Sequence, residues 1–415
     1  FARLFKTRVE KFYLFFAWPV ALFKRKMGET EYGVGVIPLG GYVKISGMID
    51  ESMDREQMKQ PPQPHEFRSK KSWQRLLIML GGVTFNFILA LVIYVGVLSF
   101  WGETYLPAKN VKYGILTDST GYAMGLRNGD MIVAVDGVPA EDFYKIITDV
   151  LLNKRKTITV DRQGTILDIP VKKEFIPLLL KNPDVLDARI PFGPFIVNGF
   201  TKQSPAKIAG IREGDQVMAL DSLTFQWYDE FQGYLALNKG KTILVTVLRD
   251  GMNVNVPVTT NSEGMLGVSR KVDEIFDFKT IHYSFLEAIP AGIAKGFRTT
   301  GDYLTQIPLI FSKETKGYES LGGFIAIGKA FPGRWNWHAF WNLTAFLSLI
   351  LAVMNILPIP ALDGGHVMFL IFEVVTGRKP SDKFMEYAQI AGMIILLALL
   401  IFANGNDIIK LFRKI

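Results

Sequence analysis

Apolar and polar positions follow three different rhythms along this chain. From Leu76 to Trp101 no charged residue occurs, a run long enough for a helix to cross about 30 Å of hydrocarbon. A second uncharged run covers residues 335–362. A third, Ile390–Ala403, becomes long enough when the turn from Phe384 is added. The pattern therefore predicts spans over 76–101, 335–362 and 384–403. Within residues 1–75, Tyr13–Phe23 is aromatic and apolar but too short to span, which suits an interfacial or re-entrant segment. Tyr32–Ile45 alternates like a strand and is interrupted by glycines, Gly40 and Gly41 among them. Such backbone is tolerated at membrane depth only where protein covers it or it lines a wet cavity; an ordinary hairpin beside the membrane fits the same pattern. Residues 274–334 read as an amphipathic, aromatic region on the membrane surface.

Between the first two spans the chain repeats itself. Gly125-Leu126-Arg127-Asn128-Gly129-Asp130 returns 85 positions later as Gly210-Ile211-Arg212-Glu213-Gly214-Asp215. Asp136 and Asp221, Leu152-Asn153 and Leu237-Asn238, and Lys156-Thr157-Ile158 and Lys241-Thr242-Ile243 match at the same offset. Each copy reads as strand, Gly-Asp turn, strand, helix and paired strands. The copies, 107–176 and 190–268, resemble PDZ domains of the kind attached to bacterial proteases. Gly137 completes that phrase in the first copy and Ser222 replaces it in the second. The resemblance implies a sheet edge that takes an extended peptide, although spacers or filters that bind nothing fit equally. The expected fold is a multi-span α-helical membrane protein with two inserted α+β PDZ domains and a membrane-associated β-hairpin or re-entrant segment.

Charge sharpens this picture. The net charge is +8, and its placement favours lipid over nucleic acid. Arg68, Lys70, Lys71 and Arg75 precede the first span, and Arg378, Lys379 and Lys383 separate the second from the third. Both clusters are expected in the cytoplasm, which exports the repeats and puts the C-terminus outside; Lys410, Arg413 and Lys414 at that end speak against the last point. There are no cysteines, so neither disulfides nor thiolate metal ligands are available.

Candidate chemistry lies where the second span closes, in Asn355-Ile356-Leu357-Pro358-Ile359-Pro360-Ala361-Leu362-Asp363-Gly364-Gly365-His366. A carboxylate within an apolar helix needs a partner, and neither long span offers a basic one to Asp363. A divalent cation would offset its burial. Pro358 and Pro360 break the helix, and Asn355 is placed to hydrogen-bond an extended chain. Read without a relative, Asp-Gly-Gly also fits a solvated cytoplasmic turn.

This phrase resembles the second signature of the site-2 proteases, intramembrane zinc metalloproteases. The likeness extends to Ile37-Pro38-Leu39-Gly40-Gly41-Tyr42-Val43-Lys44, Phe67-Arg68-Ser69-Lys70-Lys71, Gly82 with Asn86, Ala288-Ile289-Pro290-Ala291-Gly292 and Gly322-Gly323-Phe324-Ile325; Phe324 stands where the family usually has proline. The resemblance implies Zn2+ with Asp363 as its third ligand. The other two ligands are histidines of an HExxH helix whose Glu is the general base. By that alignment the motif ends a few residues before Phe1. This chain then contains no catalytic residue of its own, and as written it is expected neither to hold zinc tightly nor to cleave. His65-Glu66 begins like HExxH but reaches Ser69 at the fifth position, while His282 and His338 stand alone. Asn355, Pro358, Pro360, Gly40 and Gly41 are the implied substrate clamp. The implied partners are single-span membrane proteins of the anti-sigma-factor type and signal-peptide remnants, in a bacterial inner membrane. A non-catalytic PDZ membrane scaffold is the alternative.

Overall fold

In a computed structural model, residues 1–37, 41–48, 61–270, 275–311 and 317–412 are described. Gly40, one of the expected clamp residues, lies outside them. The chain divides into one unit built from Phe1–Trp101, Tyr283–Leu304 and Leu321–Ile415, and a second from Gly102–His282 with Thr305–Ser320.

After a short turn at Ala2–Phe5 the first unit forms a four-stranded sheet. Strands β1 (Val9–Leu14), β2 (Phe16–Met27), β3 (Thr30–Ile37) and β4 (Tyr42–Ile45) lie in the order β2-β3-β1-β4. The β2–β3 pair is an antiparallel hairpin, and β1 runs parallel to β3 and antiparallel to β4. Tyr13–Phe23 thus belongs to strands, where aromatic and β-branched residues fit the pleated surface. Gly41 is required before β4, because a Cβ there would lie 2.5 Å from the Tyr13 carbonyl oxygen.

Helix α1 (Ser72–Trp101) follows. The rest of this unit contains much of α6 (Phe285–Phe311), with α7 (Phe324–Ala330), α8 (Trp337–Ile356), α9 (Asp363–Thr376) and α10 (Asp382–Phe412). Among the described residues, three helices are long and apolar enough to cross a membrane: α1, α8 and α10 from Lys383 onward. Helix α8 stops at Ile356, short of Leu362, because Pro358 has no N–H to donate and disfavours helical backbone at Leu357. Helix α6 meets α1 at two glycines. A Cβ on Gly292 would meet Val95, and Gly296 faces Leu91 and Tyr94. Two glycines four residues apart are what allow one helix backbone this close to another.

The second unit holds two similar layered bodies. The first has helices α2 (Ser119–Met124) and α3 (Ile146–Leu152) with strands β5 (Met131–Val135), β6 (Val138–Pro139), β7 (Thr157–Arg162) and β8 (Thr165–Pro170), ordered β8-β7-β5-β6. Its buried core, including Leu126, Ile132, Val150, Ile158 and Val160, extends past residue 176 to Leu179, Leu186 and Ala188. The second body has β9 (Phe195–Ile196), α4 (Pro205–Ile208), β10 (Gln216–Leu220), α5 (Tyr228–Leu237), β11 (Thr242–Arg249) and β12 (Met252–Thr259), ordered β9-β10-β11-β12. Its core includes Ile211, Val217, Leu235, Val245 and Val247.

The repeat register changes within the sheet. Val135 pairs with Ile158, and its counterpart Leu220 pairs with Val245 rather than Ile243. Across this strand the copies are therefore offset by 87, and the Lys-Thr-Ile match at 85 is not the structural equivalence. A slip of two residues keeps the same side chains on the inner face, so the core tolerates it.

Candidate functional site

Six residues of non-helical chain separate α8 from α9, and they fold into a compact turn. The Ile359 N–H donates to Leu357 O (2.7 Å), Leu362 N–H to Ile359 O (3.1 Å) and Gly365 N–H to Leu362 O (3.0 Å). Pro360 and Ala361 occupy the centre of the Ile359–Leu362 turn, with Ala361 at φ 77°. Proline followed by a positive φ is the type II pattern, in which glycine is the usual second residue.

Three glycines grip this turn. A Cβ on Gly364 would run into the carbonyl oxygens of Ile356 and Leu357, and one on Gly365 would lie 2.6 Å from Ile359 O. Gly392, from α10, is pressed against the Pro360 carbonyl. The Gly-Gly of the motif is thus explained by packing, and Gly392 joins the site from a helix that the sequence did not connect to it.

Asp363 is the first residue of α9, not a residue inside the preceding span. An acidic side chain there faces the positive end of the helix. The carboxylate is half-buried and makes no hydrogen bond or ion pair with the described residues. Its Oδ2 lies 3.6 Å from the position a Cβ on Gly82 would take. Below it, α1 and α9 are sealed by Met79, Val367 and Leu370. Further down, the Arg75 guanidinium pairs with Glu373, which also accepts from Ser72 Oγ at 3.0 Å. Arg75 is therefore a buried structural cation, as is Arg68 of the same basic cluster, which pairs with Glu66. On another face of α1, Ser348 of α8 donates to Asn86 O at 2.8 Å, beside a core of Ala90, Tyr94, Ala345 and Leu349.

Asn355 sits in the last turn of α8, half-buried, with no hydrogen bond from its amide to the described residues. Pro358 is exposed and Pro360 half-buried. His366 follows Asp363 by about one helical turn. Phe1 reaches the same stretch of α1, with its ring 3.0 Å from the Cβ position of Gly81. The other HExxH-like pair is closed: Glu66 is buried, bonded to Arg68 at 2.6 Å and to Gln63 N–H at 3.2 Å. Among the described residues no three His, Cys, Asp or Glu side chains gather into a metal site. An unpartnered, half-buried carboxylate still suits a cation as a single oxygen ligand.

Comparison with known proteins decides the family. The model of peptidase family M50 matches residues 1–399. This chain belongs to peptidase family M50. It is 28% identical over 437 residues to the regulator of sigma-E protease RseP of Escherichia coli, covering 99% of this chain and 94% of that protein. It is 27% identical over 404 residues to the regulator of sigma E protease of Haemophilus influenzae, covering 92% and 88%. A Neisseria meningitidis protein named "Putative zinc metalloprotease" is 26% identical over 440 residues, covering 99% and 94%. Membership makes the chain a membrane metalloprotease of the site-2 type and sets aside the non-catalytic scaffold.

Proposed function

We propose that Asp363 holds a zinc ion, and that the peptide bond cut belongs to a single-span membrane protein of the anti-sigma-factor or signal-peptide-remnant class. The observation that carries this reading is the placement of the Asp363 carboxylate. It is half-buried, without a partner among the described residues, and carried on a turn that three glycines hold in place. On this reading the other two ligands and the general base are the histidines and the Glu of an HExxH motif, as the resemblance to the site-2 proteases implies. When bound, such an ion lowers the pKa of water and polarises a carbonyl.

The chain's own residues then bind and orient. A helical substrate must unwind, because its peptide groups are shielded by their own hydrogen bonds. The Asn355 amide, without a partner among the described residues, is free to bond the extended form, and the Pro358–Pro360 turn lies between it and Asp363. Among the described residues, edge strand β4, entered from Gly41, pairs on one side only, with β1, which leaves its other side able to add a strand. The repeats act as an exported PDZ pair that screens substrates. The basic residues around α1 and between α9 and α10 keep those ends in the cytoplasm of a bacterial inner membrane.

The test is zinc content and cleavage of a single-span reporter by the full-length protein and by Asp363→Ala. Loss of a ligand should lower zinc affinity and cleavage by more than the roughly 10–100-fold typical of an outer-shell partner. A variant that retains zinc and cleaves normally would remove Asp363 from the metal.

A further inference from the structure

Gly392 is buried where α10 meets the turn that carries Asp363. A Cβ at this position would overlap the Pro360 carbonyl carbon and oxygen and lie 3.0 Å from the Pro360 Cα. Carbon atoms pack at about 3.5–4.0 Å, so even the farthest of the three is too near. All three are backbone atoms, which cannot swing aside as the end of a side chain can. Rotating the peptide plane between Pro360 and Ala361 would move the oxygen but leave the Cα in place. Pro360 is also pressed from α9, where a Cβ on Gly365 would lie 2.6 Å from its Cα. Helix α10 is tied on both sides of Gly392. Phe384 meets Phe369 of α9 with ring centroids 6.0 Å apart. Towards the other end, Asn404 and Asp407 accept from the Phe324 and Gly323 N–H groups.

We propose that Gly392 is a positioning residue: its bare backbone lets α10 seat the Pro360 turn, and so sets where the Asp363 carboxylate stands opposite Gly82. Only Ala361 and Leu362 separate Pro360 from Asp363, and Leu362 N–H closes the turn onto Ile359 O at 3.1 Å. A shift at the Pro360 carbonyl is therefore passed to Asp363 rather than absorbed between them. A misplacement of about 1 Å in a reacting constellation costs roughly a hundredfold in rate. The effect on cleavage rests on the proposed role of Asp363. The seating of the turn does not, and it is read without metal or substrate. Gly405 of the same helix provides the contrast, because a Cβ there would meet nothing within 4 Å.

The test compares Gly392→Ala with Gly405→Ala, the same change in the same helix, in the full-length protein. Hydrogen exchange over residues 359–365 should quicken at least about tenfold in Gly392→Ala, as the Leu362 and Gly365 N–H bonds loosen. It should stay unchanged in Gly405→Ala, and exchange in the repeats should stay unchanged in both. For a single-span reporter, kcat should fall about ten- to a hundredfold in Gly392→Ala, with KM within about twofold. Unchanged exchange over 359–365 would overturn the proposal, and so would faster exchange with normal cleavage. Loss of protection spread evenly over all the helices, or failure of Gly392→Ala alone to accumulate, would mark a merely structural glycine and overturn it too. Normal cleavage by Asp363→Ala beside faster exchange in Gly392→Ala would remove the zinc reading and leave the seating of the turn standing.

Discussion

The repeats and the Asp363 turn handle buried carboxylates in opposite ways. In the first repeat Asp130, 1% exposed, accepts two bonds from Arg162 at 2.7 Å and one from Arg127 N–H at 2.8 Å. The second repeats this with Asp215, Arg249 and Arg212 N–H. The same arginines reach back to Gly125 O and Gly210 O, tying the end of each repeat's first helix to its sheet. Asp363 has none of this. Asp407 of α10 is intermediate: it is 5% exposed and accepts from Gly323 N–H and Ala326 N–H, both at 2.9 Å, at the start of α7. A satisfied buried carboxylate holds a fold together, and an unsatisfied one is available for a ligand.

This contrast can be broken by measuring stability alongside activity. Arg249→Ala should be the most destabilising change, because it leaves the Asp215 carboxylate without its partner; Arg162→Ala should do the same in the first copy. Asp363→Ala should leave thermal stability unchanged or higher while abolishing cleavage. A large stability loss there would mean that Asp363 is structural after all. Asp407→Ala should cost about 2 kcal/mol by leaving backbone donors unpaired, read as increased hydrogen exchange at Gly323 and Ala326. If exchange there is unchanged, the Asp407 contact is dispensable.

Acid sharpens the comparison further. The hydrogen bonds from Arg249 hold the Asp215 carboxyl below its ordinary value. Its stabilisation is full above the unfolded value, near about pH 4, and is lost as pH falls through the lower folded value. Acid unfolding of the repeats should therefore begin at higher pH in Arg249→Ala, and identical profiles would contradict the pairing. The smallest effect is expected at Ser222, which sits at φ 70° where the first repeat has Gly137 at φ 75°. Ser222→Gly should stabilise by about 1 kcal/mol, measured as a raised midpoint of unfolding.

Much of this was legible along the chain. The Gly-Asp turns, the alternation of β5 and β10 and the long apolar runs are local signals, and the repeats could be aligned from them. Arg162 and Arg249 escaped notice because they are related by 87 positions, not 85, and only the sheet register reveals them. The β1–β3 pairing escaped too: parallel neighbours leave no hairpin turn to read. Asp363 was conspicuous, yet Gly82, which faces it, and Gly392, which presses on the Pro360 turn before it, come from helices hundreds of residues before it and some tens after it.

The sequence by itself determined which segments are apolar enough to span, where helix α8 must break, that two copies of one domain lie between spans, and which carboxylate stands beside that break. Periodicity, proline and glycine act over a few residues, so they are readable in order. Only the tertiary structure decided which buried carboxylates are satisfied, because partners converge from distant segments. Only it showed Phe1 and Asp363 meeting α1 at adjacent glycines, since close packing depends on where side chains are missing as much as on where they are present.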